Sequence, residues 1–95
     1  MSAYIVVDGE VTDPVRYEAY KKLAQAAIAK HGGRYLVRGG ETSVLEGDWQ
    51  PHRIVVLEFP SANAIKRFYS SPEYQAARAA REGAARMNVI AVEGV

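Results

Sequence analysis

Two charged residues sit at the ends of strand-like runs and are the first candidates for chemistry: Glu58, which follows Ile54–Leu57, and Arg38, which closes Arg34–Arg38. Ile54–Leu57 is apolar at consecutive positions, as in a strand covered on both faces. A carboxylate at its end needs a partner or a purpose. It can act as a base with a raised pKa, or as the fixed partner of an arginine. Enzymes that take a proton from an activated carbon or phenol combine such a base with a cation or phenol that holds the anion formed. Glu58 as base and Arg38 as anion holder are therefore the catalytic candidates. A plain ion pair at Glu58 is the competing expectation, and truncating one partner of a buried pair costs ~3–5 kcal/mol.

Tyrosine supplies the next candidates. Six tyrosines stand against two phenylalanines, and a buried phenol, unlike a phenyl ring, asks for a hydrogen-bond partner. Tyr17 and Tyr20 lie three apart on one helix face, while Tyr69 and Tyr74 flank Pro72. Together they suggest a polar-tipped aromatic pocket, or else the amphipathic rim of an ordinary core. Arg81, three residues after Arg78, could reach Glu58, Glu73 or an anionic ligand. His52 could exchange a proton near neutral pH. Trp49 shares its loop and suits a contact with a second protomer, or a lid. His31 has a sufficient explanation as a helix cap, and no carboxylate or histidine spacing makes a metal set. Gly39-Gly40 could form a small anion nest, but a bulge that re-aims Arg38 accounts for it better. No nucleophilic triad, Walker loop or dinucleotide fingerprint occurs.

The elements that must position these residues follow in order. Ala3–Val7 reads as a strand closed by Asp8-Gly9. Asp13-Pro14 starts a helix of about five turns, with Tyr17, Tyr20, Leu23, Ala24, Ala27 and Ile28 at helical spacing, ending at His31-Gly32-Gly33. The second strand, Arg34–Arg38, continues past Gly39-Gly40 through Thr42–Glu46. Turn residues Gly47–His52 lead into the third, Arg53–Phe59, and the pair forms a long hairpin in which Glu46 can face Arg53 or, with the register shifted by one residue, Ile54. Ser61 caps a helix through Tyr69, which is broken at Ser71-Pro72 and resumes to Gly83. Met87–Val92 is the fourth strand.

The order β-α-β-β-α-β is the ferredoxin-like, split βαβ pattern of the α+β class. It places the first and third strands at the centre of a four-stranded antiparallel sheet with all helices on one face. The strands are apolar on both faces, and one protomer covers only one of them. A homodimer packed through its sheets is expected, with Trp49, Val55 and Leu57 at its interface.

The segments GGRYLVRGG, LEGDWQPHR, VVLEFPS and SPEYQ, within a match from Tyr4 to Glu93, resemble the uncharacterised bacterial family catalogued as domain of unknown function 1330. That resemblance implies the dimeric α+β barrel superfamily. Its members include cofactor-independent quinol monooxygenases, muconolactone isomerase-like proteins and haem-binding branches, which usually hold a ligand between sheet and helices. One fold hosts many chemistries, so the resemblance assigns no reaction.

Composition sets the remaining bounds. Ninety-five residues make one domain, which alone buries only roughly 60–65% of its unfolded surface. Twelve Lys and Arg against eleven Asp and Glu give +1, without runs. Such a balance argues against nucleic acid as a partner. Cysteine is absent, which removes disulfides and thiolate chemistry. No segment approaches the ~20 apolar residues of a membrane span, and the start MSAYIVVDGE has no signal-like pattern. The expectation is a cytoplasmic, small-molecule-binding homodimer that needs no cofactor. Its pocket would hold Tyr17, Tyr20, Tyr69, Tyr74, Arg81 and His52 around Glu58 and Arg38, with oxygenase or isomerase chemistry on a small organic substrate. The alternative is a non-catalytic accessory or stress-related protein with a structural pocket.

Overall fold

The computed structural model describes residues 1–95. Its elements are β1 (Ala3–Val11), α1 (Pro14–Lys30), β2 (Arg34–Arg38), β3 (Arg53–Phe59), α2 (Ala62–Ser70), α3 (Pro72–Ala80) and β4 (Ala85–Glu93). The sheet runs β2-β3-β1-β4 with every neighbouring pair antiparallel. This is the ferredoxin-like fold, with the first and third strands central. The molecule measures 36 × 33 × 16 Å, and the short dimension accommodates one sheet and one layer of helices.

Local chemistry sets the helix ends. The Asp13 carboxylate accepts from Arg16 N at 3.2 Å, and Pro14 occupies a first-turn position whose N–H has no helical partner. Tyr17, Ala24, Ala27 and Ile28 form the buried stripe of α1, whereas Leu23, expected on it, is 43% exposed. Ser71 joins α2 to α3. Its hydroxyl donates to the Phe68 carbonyl at 2.6 Å and accepts from Tyr74 N at 3.2 Å. The break at Pro72 therefore leaves no orphaned group at this buried serine, and it brings the Phe68 and Tyr74 rings to 4.5 Å. Lys30 and His31 at the end of α1 reach Glu73 of α3 at 3.0 and 3.1 Å.

The core lies between sheet and helices. Phe59 and Phe68 are its most deeply buried large side chains, with ring centroids 4.9 Å apart. Strand alternation sends Val55, Leu57 and Phe59 toward the helices. Val55 and Leu57, expected between protomers, are instead 8% and 5% exposed within this core. The opposite pleat carries Ile54, Val56 and Glu58 to the bare face. There they join Val6, paired with Val56 and Ile90, and Tyr4, paired with Glu58 and Val92.

Three boundaries differ from the expected ones. β1 and β4 run on to Val11 and from Ala85, because Gly9 pairs with both Arg53 and Met87 and does not close the strand. β2 stops at Arg38, so Thr42–Glu46 is not a strand and Glu46 does not oppose Arg53. Gly39, at φ 72°, turns the chain out of the sheet. The departing loop then runs to the bare face, where Val44, Trp49 and Pro51 border a shallow groove with Val6 and Ile54.

Candidate functional site

β2 carries one irregularity that builds the site. Tyr35 pairs with Leu57, Val37 with Val56 and Arg38 with Val55, leaving Leu36 as the extra residue of a bulge. The bulge was expected at Gly39-Gly40; it lies three residues earlier. In a regular strand, residues three apart point to opposite faces. Here Tyr35 and Arg38 share the helix-side face, and the Arg38 guanidinium carbon stands 4.3 Å from the Tyr35 ring centroid.

Opposite them, α1, α3 and the end of α2 supply the phenols. Tyr17 and Tyr20, one helical turn apart, have ring centroids 5.0 Å from each other. The Tyr20 and Tyr74 hydroxyls are 2.9 Å apart, and Tyr69 packs on Tyr74 at 5.2 Å. These side chains, with Ile5, Val7, Val55, Leu57 and Val89 of the sheet, enclose a cleft. Its tight interior is about 40 Å³, and its unfilled space, including solvent at the mouth, totals about 530 Å³. The interior alone has room for a few waters at ~10–15 Å³ each. The enclosed part is well below the roughly 300–1,000 Å³ of small-molecule sites, so a ligand with an aromatic ring would occupy the open mouth or move the lining side chains apart.

The charges around the cleft are of one sign. Lys21, Arg38 and Arg53 line it, and no carboxylate or histidine does. Arg53 passes close beneath Gly39: a Cβ on that glycine would lie 2.8 Å from Arg53 Nε. Burial pushes the Tyr20 phenol well above its ordinary pKa, reinforced by Tyr74. Burial also raises Tyr17, offset in part by Arg53 and Arg81, and raises Tyr35, offset by Arg38 and Arg53. At neutral pH these phenols are therefore uncharged hydrogen-bond donors.

Of the expected site residues, Tyr17, Tyr20, Tyr69, Tyr74 and Arg38 meet at the cleft. Glu58 does not. It lies on the other face of β3, where its Oε1 takes 2.6 Å contacts from Arg34 Nε and Nη2, and the Tyr4 hydroxyl donates to Oε2 at 3.4 Å. The hydrogen bonds from Arg34, with that from Ser2, hold its carboxyl below the usual range. Glu58 is an ionised structural partner, the reverse of a base with a raised pKa.

His52 also faces elsewhere. Its backbone N–H donates to Asp8 at 2.9 Å, and its ring nitrogens lie 3.8 Å from Asp8 and Glu10. Trp49, 62% exposed, donates from Nε1 to Asp8 at 3.0 Å. Arg81 sits behind the phenols, its guanidinium carbon 5.3 Å from the Tyr20 centroid, and Arg78 lies over Tyr69 at 5.0 Å. Arg81 Nε is buried without a hydrogen-bond partner. Two cleft residues, Tyr35 and Arg53, were not anticipated. Arg53 precedes Val55, Leu57 and Phe59 at strict period two, a spacing that places it on the core face once Phe59 is taken as the anchor.

A family model described as "Domain of unknown function (DUF1330)" matches residues 2–95. Among solved structures, the chain is similar to a protein of unknown function from Rhodopseudomonas palustris at 18% identity and TM-score 0.79, over 99% of this chain and 82% of that one. It is similar to SnoaB, a cofactor-independent oxygenase from Streptomyces nogalater, at 15% identity and TM-score 0.70, over 99% and 93%. It is also similar to a dimeric ferredoxin-like protein of unknown function from Jannaschia sp. CCS1, at 16% identity and TM-score 0.66, over 99% and 100%. At such identities the likeness shows the fold. No curated protein matches the sequence.

Proposed function

This chain belongs to the DUF1330 family, whose description names no reaction, and from that footing we propose that it is a homodimeric, cytoplasmic small-molecule-binding protein whose ligand enters the cleft between the sheet and α1 and α3. The observation that carries this is the convergence of Tyr17, Tyr20, Tyr35 and Tyr74 on one partly open space, most of whose other lining is apolar. An apolar body can fill such a space while phenol hydroxyls orient its polar groups.

Cofactor-independent oxygenation or isomerisation is the enzymatic form of this proposal, and the SnoaB-like fold supports it. In that form the phenols and Arg38 hold an enolate or phenolate of the substrate. Glu58 takes no part, because it points to the other face. The substrate's own acidity, raised by those donors, then supplies the anion, and its proton leaves to solvent at the mouth, since no carboxylate or histidine lines the cleft. The dimer is supported by the bare face, where Ile90 and Val92 are 57% and 48% exposed, and by the dimeric Jannaschia neighbour.

The test is equilibrium binding of naphthol to the wild type and to Tyr17→Ala, with oxygen uptake in the presence of a naphthoquinol recorded alongside. Binding that weakens at least tenfold in a folded Tyr17→Ala variant supports the cleft. Equal affinity in both proteins overturns it, and uptake no faster than autoxidation confines the protein to the non-catalytic alternative.

A further inference from the structure

The cleft contains more positive charge than its own side chains neutralise. Of its three cations, Lys21 is paired with Glu18 at 2.9 Å. The arginines are not matched in this way. Arg38 donates to the neutral Gln25 Oε1 at 3.3 Å and stacks on Tyr35, and Arg53 is in none of the ion pairs that use Glu10, Glu18, Glu58, Glu73 and Asp8. Both reach the cleft from adjacent strands on one face. Arg38 is opposite Val55, and Arg53 lies two residues before Val55 along the strand. The Leu36 bulge and the bare Cα of Gly39 are what put them there. Arg81 adds a fourth positive group behind Tyr20, its Nε buried and unpartnered.

We infer that the ligand of this cleft is a small aromatic carboxylate, its ring among Tyr17, Tyr20 and the apolar sheet residues and its carboxylate at the mouth between Arg38 and Arg53. This rests on the proposal that the cleft is the binding site, and it adds the charge of what binds. Physical chemistry favours it over a neutral ligand of the same shape. A guanidinium presents parallel N–H donors that match two carboxylate oxygens. The tyrosines remain protonated and donate hydrogen bonds, which an anion accepts. A neutral ring gains no charge-assisted hydrogen bond from Arg38, which is exposed, or Arg53, which is half-buried. A cationic ligand would meet like charges on two sides and no carboxylate.

Calorimetric titration of the full chain with benzoate and with its neutral analogue benzamide tests this, repeated with Arg38→Gln and Arg53→Gln. Benzoate should bind about tenfold or more tightly than benzamide, and each substitution should weaken benzoate by about tenfold and benzamide by no more than about threefold, because the amide loses a neutral-acceptor hydrogen bond and no ion pair. The benzamide arm also reports whether a variant keeps its cleft. Equal affinities for the two probes, insensitive to either substitution, overturn the carboxylate assignment and leave the cleft as a neutral-ligand site. Failure of benzoate, benzamide and naphthol alike overturns the assignment and the cleft together.

Discussion

Arg38 lies over the ring of Tyr35, guanidinium carbon to centroid 4.3 Å, although the two are three residues apart on one strand. Only the bulged Leu36 between them permits this. A local defect in strand pairing thus puts a cation and a phenol on the cleft side, and the turn at Gly39 leaves room for Arg53 beside them.

Gly39→Ala should disturb the cleft from outside it. The residue has φ 72°, and its new methyl would lie 2.8 Å from Arg53 Nε. A destabilisation of about 1 kcal/mol or more is expected from the backbone alone, with Arg53 displaced and benzoate affinity reduced. Urea denaturation with parallel titration measures both.

The Tyr20–Tyr74 hydrogen bond is open to a double-mutant cycle. Tyr20→Phe or Tyr74→Phe alone should cost ~1–2 kcal/mol, since each leaves a buried or half-buried hydroxyl unpartnered. The double variant should cost little more than either single one. Additive losses in urea unfolding would contradict the coupling.

Glu58→Gln should alter acid stability and leave ligand binding intact. The folded pKa of Glu58 is lowered by hydrogen bonds from Arg34 and then Ser2. Its stabilising contribution is thus present above the unfolded value, ~4.3, and is lost as pH falls through the lower folded value. Denaturation midpoints from pH 7 downward should show the wild type and variant converging below about pH 4. Loss of naphthol or benzoate binding at neutral pH in a stable variant would return Glu58 to the site.

Ile90→Lys tests the bare face. Ile90 is 57% exposed in the single chain, so the fold should tolerate the lysine while sheet-to-sheet association weakens by at least about tenfold. Light scattering across a dilution series reads the change. An unaltered dimer would place the interface elsewhere.

Much of this fold was legible in the sequence for physical reasons. Asp13-Pro14, Ser61 and Ser71-Pro72 state their helix starts in capping chemistry, and the order of runs then leaves few topologies. The tyrosine cluster was legible because α1 periodicity aligns Tyr17 with Tyr20, and Pro72 fixes the turn between Tyr69 and Tyr74. The face of Glu58 was not. Ile54–Leu57 is apolar at every position, so hydrophobicity does not set the pleat phase, and a shift of one residue exchanges the faces. Nor does Arg34–Arg38 announce that Leu36 is extra, since a bulge is settled by pairing with β3 and not by composition. Arg53 could meet Glu46 only in a continuous hairpin, and Gly39 ends that hairpin early.

The central claim is that the tyrosine cleft, and not the Glu58 edge, receives the ligand. Its most direct test is the NMR spectrum of the protein with isotope-labelled tyrosine rings during addition of benzoate. The predicted result is saturable shifts of Tyr17, Tyr20, Tyr35 and Tyr74, with Tyr4 beside Glu58 unmoved. Shifts confined to Tyr4, or none at a saturating probe concentration, would contradict it.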